Sequence, residues 1–145
     1  MAVTITLYDH TAQRFAAGLN ASGDTYKLKL YSALTPSAAH KTLAAVDAAG
    51  TETTEGTGYT AGGATLANVA VTTTTTNDAT FDANDVVWTA SGGSIEAAYG
   101  VIYNDTDASD PPVAFIDFGG TQTAGDGTEF RVVWSASGIF TFTVA

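Results

Sequence analysis

Cysteine is absent from the chain, so neither disulfides nor thiolate metal sites hold it together. Histidine is scarce as well: His10 and His40 stand far apart, without a second imidazole or a thiol nearby, which argues against a zinc centre. No apolar run approaches the roughly 20 residues needed to cross a bilayer, and the first ten residues have neither the basic start nor the apolar stretch of a signal peptide. A soluble protein made in the cytoplasm is therefore expected. Positive charge is the other shortage. Five basic residues face fifteen acidic ones, for a formal net charge of −10, and none of the basic residues cluster. Phosphate backbones and anionic membranes would be repelled, so nucleic acid and membrane are not expected partners, whereas a basic protein surface is compatible.

What is present is β-forming sequence. At 145 residues, 45% of them hydrophobic, the chain is long enough for one domain, 1–145, with its own core. Short runs rich in aromatic and β-branched residues, cut by Gly, Asp and Asn, occupy Ala79–Ala90, Ile95–Asn104, Val113–Gly119, Thr128–Ser135 and Ile139–Val144. Thr25–Ser32 sets Tyr26, Leu28 and Leu30 against Lys27, Lys29 and Tyr31, the period of a half-buried strand. Ile95, Ala97, Tyr99, Val101 and Tyr103 are assigned to one face of a central strand. Phe130, Val132 and Trp134 alternate with Glu129, Arg131 and Val133 and are placed in the core. The fold expected is all-β, an antiparallel β-sandwich or jelly-roll-like domain.

Three segments depart from this pattern. Tyr8–Leu19 has helical spacing and Asp9 as a cap, which predicts a short N-terminal helix. Residues 33–58 form a long polar excursion: Pro36–Ala49 has enough alanine for one or two helical turns, and Thr51–Gly58 has no large apolar side chain, so it reads as an arm outside the core. The adjacent glycines mark a turn with positive φ at Gly62 or Gly63, and the strand Ala64–Thr76, with five consecutive threonines, reads as an edge or exposed strand.

Chemistry is sparsely represented. No serine stands in a strand-to-helix elbow, and nothing assigns paired carboxylates a facing geometry. Residues 104–110 alternate oxygen ligands as a calcium loop does, yet lack the glycine and the glutamate of an EF-hand, so turn chemistry is the simpler reading. No catalytic residue, cofactor or metal is expected. Tyr99, Tyr103, Phe115, Phe118, Trp88 and Trp134 offer a sugar-stacking platform in principle, although at strand spacing such residues usually form core.

Several runs together resemble a family of small structural proteins of tailed bacteriophages. They are Gly-Thr-Gly-Tyr-Thr-Ala-Gly-Gly at 56–63, Ala-Thr-Phe-Asp-Ala-Asn-Asp-Val-Val-Trp-Thr-Ala at 79–90, Tyr-Gly-Val-Ile-Tyr-Asn-Asp-Thr at 99–106, Ala-Phe-Ile-Asp-Phe-Gly at 114–119 and Gly-Ile-Phe-Thr-Phe at 138–142. Residues 3–9 and 27–32 fit the usual start. The resemblance spans nearly the whole chain and rests on order and spacing, since no single run is a chemical signature. It implies a virion component without enzymatic activity.

The expected role is a capsid decoration or cement protein that binds the major capsid protein or other virion proteins. A tail tube, tip or fibre component and a carbohydrate-binding domain are the alternatives. A homo-oligomer, with a trimer favoured, is expected on the particle. Candidate partner-binding residues are Val3, Ile5 and Leu7, which alternate like a strand seeking an edge, and Glu52 and Glu55 on the polar arm.

Overall fold

The computed structural model describes residues 3–73 and 78–143; Thr74–Thr76 and Val144 of the expected strands lie outside the described residues. The fold is all-β, with antiparallel pairing throughout and two short helices among the described residues.

The main sheet contains six strands. Along its path run β1 (Thr4–Leu7), β9 (Pro112–Ala124), β8 (Ile95–Asn104), β2 (Tyr26–Leu34) and β3 (Gly50–Glu52), and β4 (Ala64–Thr65) also pairs with β2. One face of this sheet is covered by a ribbon of β7 (Val86–Thr89) with β10 (Glu129–Val132). A three-stranded sheet of β5 (Ala70–Thr72), β6 (Asp78–Asp82) and β11 (Phe140–Thr143) covers it too. Between the layers lies the principal core, in which Tyr26, Leu28, Leu30, Ile102 and Ile116 meet Phe81, Trp88, Phe130, Val132 and Trp134. This is sandwich packing: alternate residues of each strand leave water for a common interior.

The other face of the main sheet carries a smaller cluster. Tyr8, Tyr31, Leu34, Val46 and Val101 pack there, with α2 (Leu43–Asp47) supplying Val46. Thr42 caps α2, its hydroxyl oxygen accepting from the Ala45 amide at 3.3 Å. Lys29 and Tyr31, assigned to the polar side of their strand, are consequently buried beneath this second layer.

Central placement of β8, between β9 and β2, agrees with expectation. The single-face assignment of its odd residues does not. The register with β9 jumps between Ala97 and Tyr99, where five steps along β9, from Asp117 to Gln122, answer two along β8. Gly119 and Gly120, at φ +77° and +134°, take the backbone through this bulge. Beyond it the faces exchange: Ile95 and Ala97 lie in the principal core, whereas Tyr99 and Val101 join the smaller one and Ile102 replaces them inside.

Three local expectations are corrected. The N-terminal helix α1 covers only Thr11–Ala16, preceded by His10 rather than capped by Asp9, because Tyr8 is drawn into the smaller core and its amide bonds Val113. Residues 33–58 contain α2, within the stretch expected to make one or two helical turns, but they also contain β3, which joins the main sheet, so the excursion is not a free arm. Within Thr51–Gly58, Thr53 is buried and its hydroxyl donates to the Glu96 carbonyl, so hydrogen bonds dock a segment that lacks apolar side chains. The expected strand at 64–76 divides into β4 and β5, which belong to different sheets, with β5 at an edge and only Thr72 of the threonine run inside it. Both Gly62 and Gly63 have positive φ, where the turn required it of one.

Candidate functional site

Two regions combine built geometry with unusual side-chain placement, and they lie at opposite edges of the main sheet.

The first is a polar network beside β3. Lys29 is buried, and its ammonium lies 2.7 Å from Asp47 Oδ1 and 3.2 Å from Glu52 Oε2. Tyr31 donates to the same Asp47 oxygen at 2.5 Å. Glu52 Oε1 accepts from the Tyr59 hydroxyl at 2.9 Å and from the Gly62 amide at 2.6 Å, and Tyr103 donates to the Gly62 carbonyl at 2.7 Å. Burial first, then the hydrogen bond to Asp47 and its charge, push the Tyr31 hydroxyl well above the ordinary tyrosine range. Burial likewise raises Tyr59 and Tyr103. Tyrosines held protonated in this way act as donors, and each carboxylate already has its cation and its hydrogen bonds. The network therefore clamps α2, β3 and the Gly62–Gly63 turn onto β2.

The second region is a groove at the β1 edge. Val3, Ile5 and Leu7 share the face of β1 that carries Ile116 across the ladder, where Ile5 is paired with Ile116. That face is the inner one, since Ile116 belongs to the principal core. Yet Val3 is 59% and Ile5 39% exposed, because the covering ribbon ends short of β1. The opening forms two adjoining hollows of about 350 and 170 Å³. Val3, Phe118 and Arg131 border both, and Val133, Trp134 and Ile139 wall the smaller one. The β8–β9 bulge contributes Gln122 and Thr123 to the larger hollow.

Among the described residues, β1 is also a free sheet edge. The Tyr8 amide points at Val113 of β9. Backbone direction alternates along a strand, so the N–H and C=O groups of Ile5 and Leu7 turn away from β9 toward the open side. Hydrogen-bonding edge and uncovered apolar face thus coincide.

Of the expected contact residues, Val3 and Ile5 line this groove; Leu7 is half-buried and outside its lining. Glu52 is taken up by the internal network at the far edge. Glu55 is exposed near that edge. Sequence reasoning did not find the wall formed by Arg131, Val133 and Trp134; the apolar Val133 on the outward phase of β10's alternation was the available signal.

The other candidates resolve into structure. Asp105 pairs with Lys27 at 3.0 Å and Asp107 with Arg14 at 2.7 Å. Asp107 Oδ1 also accepts from the Ser109 amide and hydroxyl, which is turn chemistry. Trp88, Tyr103, Phe118 and Trp134 are buried, and Tyr99 and Phe115 pack against the smaller core, so the six aromatics do not form an exposed platform.

Fold and site together define an antiparallel β-domain with an open-edged apolar groove. No protein-family model, curated protein or solved structure matches the chain.

Proposed function

We propose that this chain is a non-enzymatic structural protein of a tailed-phage virion, a capsid decoration or cement protein that attaches to the major capsid protein and helps the shell hold together. The observation that carries the reading is the coincidence, at β1, of a free strand edge with uncovered inner-face residues Val3 and Ile5. Such a feature recognises another polypeptide and offers no reacting groups. The order and spacing of runs across nearly the whole chain supply the virion assignment, and the cysteine-free, acidic composition suits a module stabilised by packing and by its neighbours.

Purified particles of the parent phage, analysed by quantitative mass spectrometry, test this. Copy numbers near that of the capsid protein are expected. A few copies per particle would move the protein to the tail, and absence from particles would overturn the virion reading. Sedimentation of the isolated protein and of protein released from particles tests the accompanying expectation of a closed homo-oligomer, a trimer first.

A further inference from the structure

We propose that the β1 groove is a strand acceptor: it takes an extended segment of a partner protein, apolar at alternate positions and flanked by Lys or Arg, which adds to β1 as a seventh strand of the main sheet. The partner's identity as a virion protein rests on the function proposed above, but the docking chemistry stands on the groove itself.

The hydrogen-bonding requirement comes first. Free edges are normally blunted by lysine, proline or a bulge. β1 has none of these: Val3–Tyr8 is uncharged and lacks proline, and the register with β9 runs without a shift from Thr4 to Leu7. The outward backbone groups of Ile5 and Leu7 match an extended chain. Side-chain geometry adds the second requirement. A strand laid on this edge would point every second residue into the hollow between Ile5 and the Val133–Trp134 wall, where apolar groups fit, and the intervening ones toward solvent.

Charge selects the occupant. The chain carries −10, and four of its five cations, Arg14, Lys27, Lys29 and Arg131, are already paired with its own carboxylates. A second copy would bring the same acidic surface to the edge, whereas a basic segment would be steered to it.

The test uses the full chain and a roughly nine-residue peptide that alternates Val and Thr between pairs of lysines, with a glutamate-flanked version as control. Amide hydrogen exchange by NMR is the readout. The lysine-flanked peptide is expected to protect the Ile5 and Leu7 amides, and the glutamate-flanked one to bind about tenfold more weakly at low salt. Ile5→Lys and Val133→Lys, on opposite walls, should each weaken binding about tenfold or more. Both positions are exposed, so unchanged melting is expected of the variants. Three results would overturn the proposal: no protection at about 1 mM peptide, equal binding of both peptides, or protection of Ile5 and Leu7 that grows with protein concentration alone, which would mean a second copy. Acceptance of the peptide by a protein absent from particles would remove only the virion assignment; abundance on particles without acceptance would remove only this docking mode.

Discussion

The ammonium of Lys29 and the carboxylate of Asp47 meet 2.7 Å apart although 18 residues separate them, and this pair ties α2 to the outer face of β2. Lys29 is enclosed, while the Asp47 side chain remains 41% exposed. Removing the cation leaves Asp47 and Glu52 facing each other and Tyr31 without it. Lys29→Ala should therefore lower stability by about 2–3 kcal/mol, below the full cost of breaking a wholly buried pair because Asp47 retains water. Asp47→Asn, which still accepts from Lys29 and Tyr31, should cost about 1 kcal/mol. Urea denaturation of the two variants checks the order; equal losses would show that the pair depends on the charge of Asp47 rather than on its hydrogen bonds.

Glycine at position 63 has two separate causes. Its φ is +86°, and a Cβ there would lie 2.0 Å from the Leu28 carbonyl oxygen. Gly92 has a similar φ, +78°, with open space around it. Gly92→Ala should cost about 1–2 kcal/mol from backbone strain alone. Gly63→Ala should cost about 3–4 kcal/mol, since β2 must also move. Thermal melts of both variants separate the two terms.

Trp134 closes the principal core and one wall of the groove. It is 8% exposed, and its indole N–H donates to the Asn84 carbonyl at 3.0 Å. Trp134→Ala is expected to cost about 3–5 kcal/mol. Trp134→Phe keeps much of the packing, loses the hydrogen bond, and should cost about 1–2 kcal/mol. A wild-type melt for the alanine variant would contradict the burial.

Asp107 predicts acid sensitivity. The Ser109 amide first, then Arg14 and the Ser109 hydroxyl, hold its carboxyl down at about 2, from an ordinary value of 3.8. Because the folded value is the lower one, the folded state favours the ionised form. The contribution is fully present above about pH 4 and is lost as pH falls through about 2. Asp107→Asn should flatten the fall in denaturation midpoint between those limits and leave its pH dependence near neutrality unchanged. A fall of wild-type steepness in the variant would assign the acid sensitivity to other carboxylates.

Most of the sheet is legible in the chain. Alternation places Tyr26, Leu28 and Leu30 inside and identifies Phe130, Val132 and Trp134 as core, because period-two burial writes itself directly into residue order. The groove is half legible: Val3 and Ile5 advertise an apolar strand, but nothing near them in sequence reveals the wall at Val133 and Trp134. Polarity misleads at 51–58. Thr53 and Glu52 are held by hydrogen bonds to Glu96, Tyr59 and Gly62, and such partners leave no periodic trace.

Residue order alone determined that this chain is an acidic, cysteine-free β-domain, which strands alternate, and that the chain turns through positive φ at Gly62 or Gly63, since each follows from local chemistry and sterics. Tertiary structure decided the rest. The bulge at Gly119 and Gly120 exchanged the faces of β8, the burial of Lys29 depended on where Asp47 and Glu52 arrive, and the exposure of Val3 and Ile5 depended on where the second layer stops. These are consequences of distant segments meeting, and a free edge exists only relative to the strands that fail to cover it.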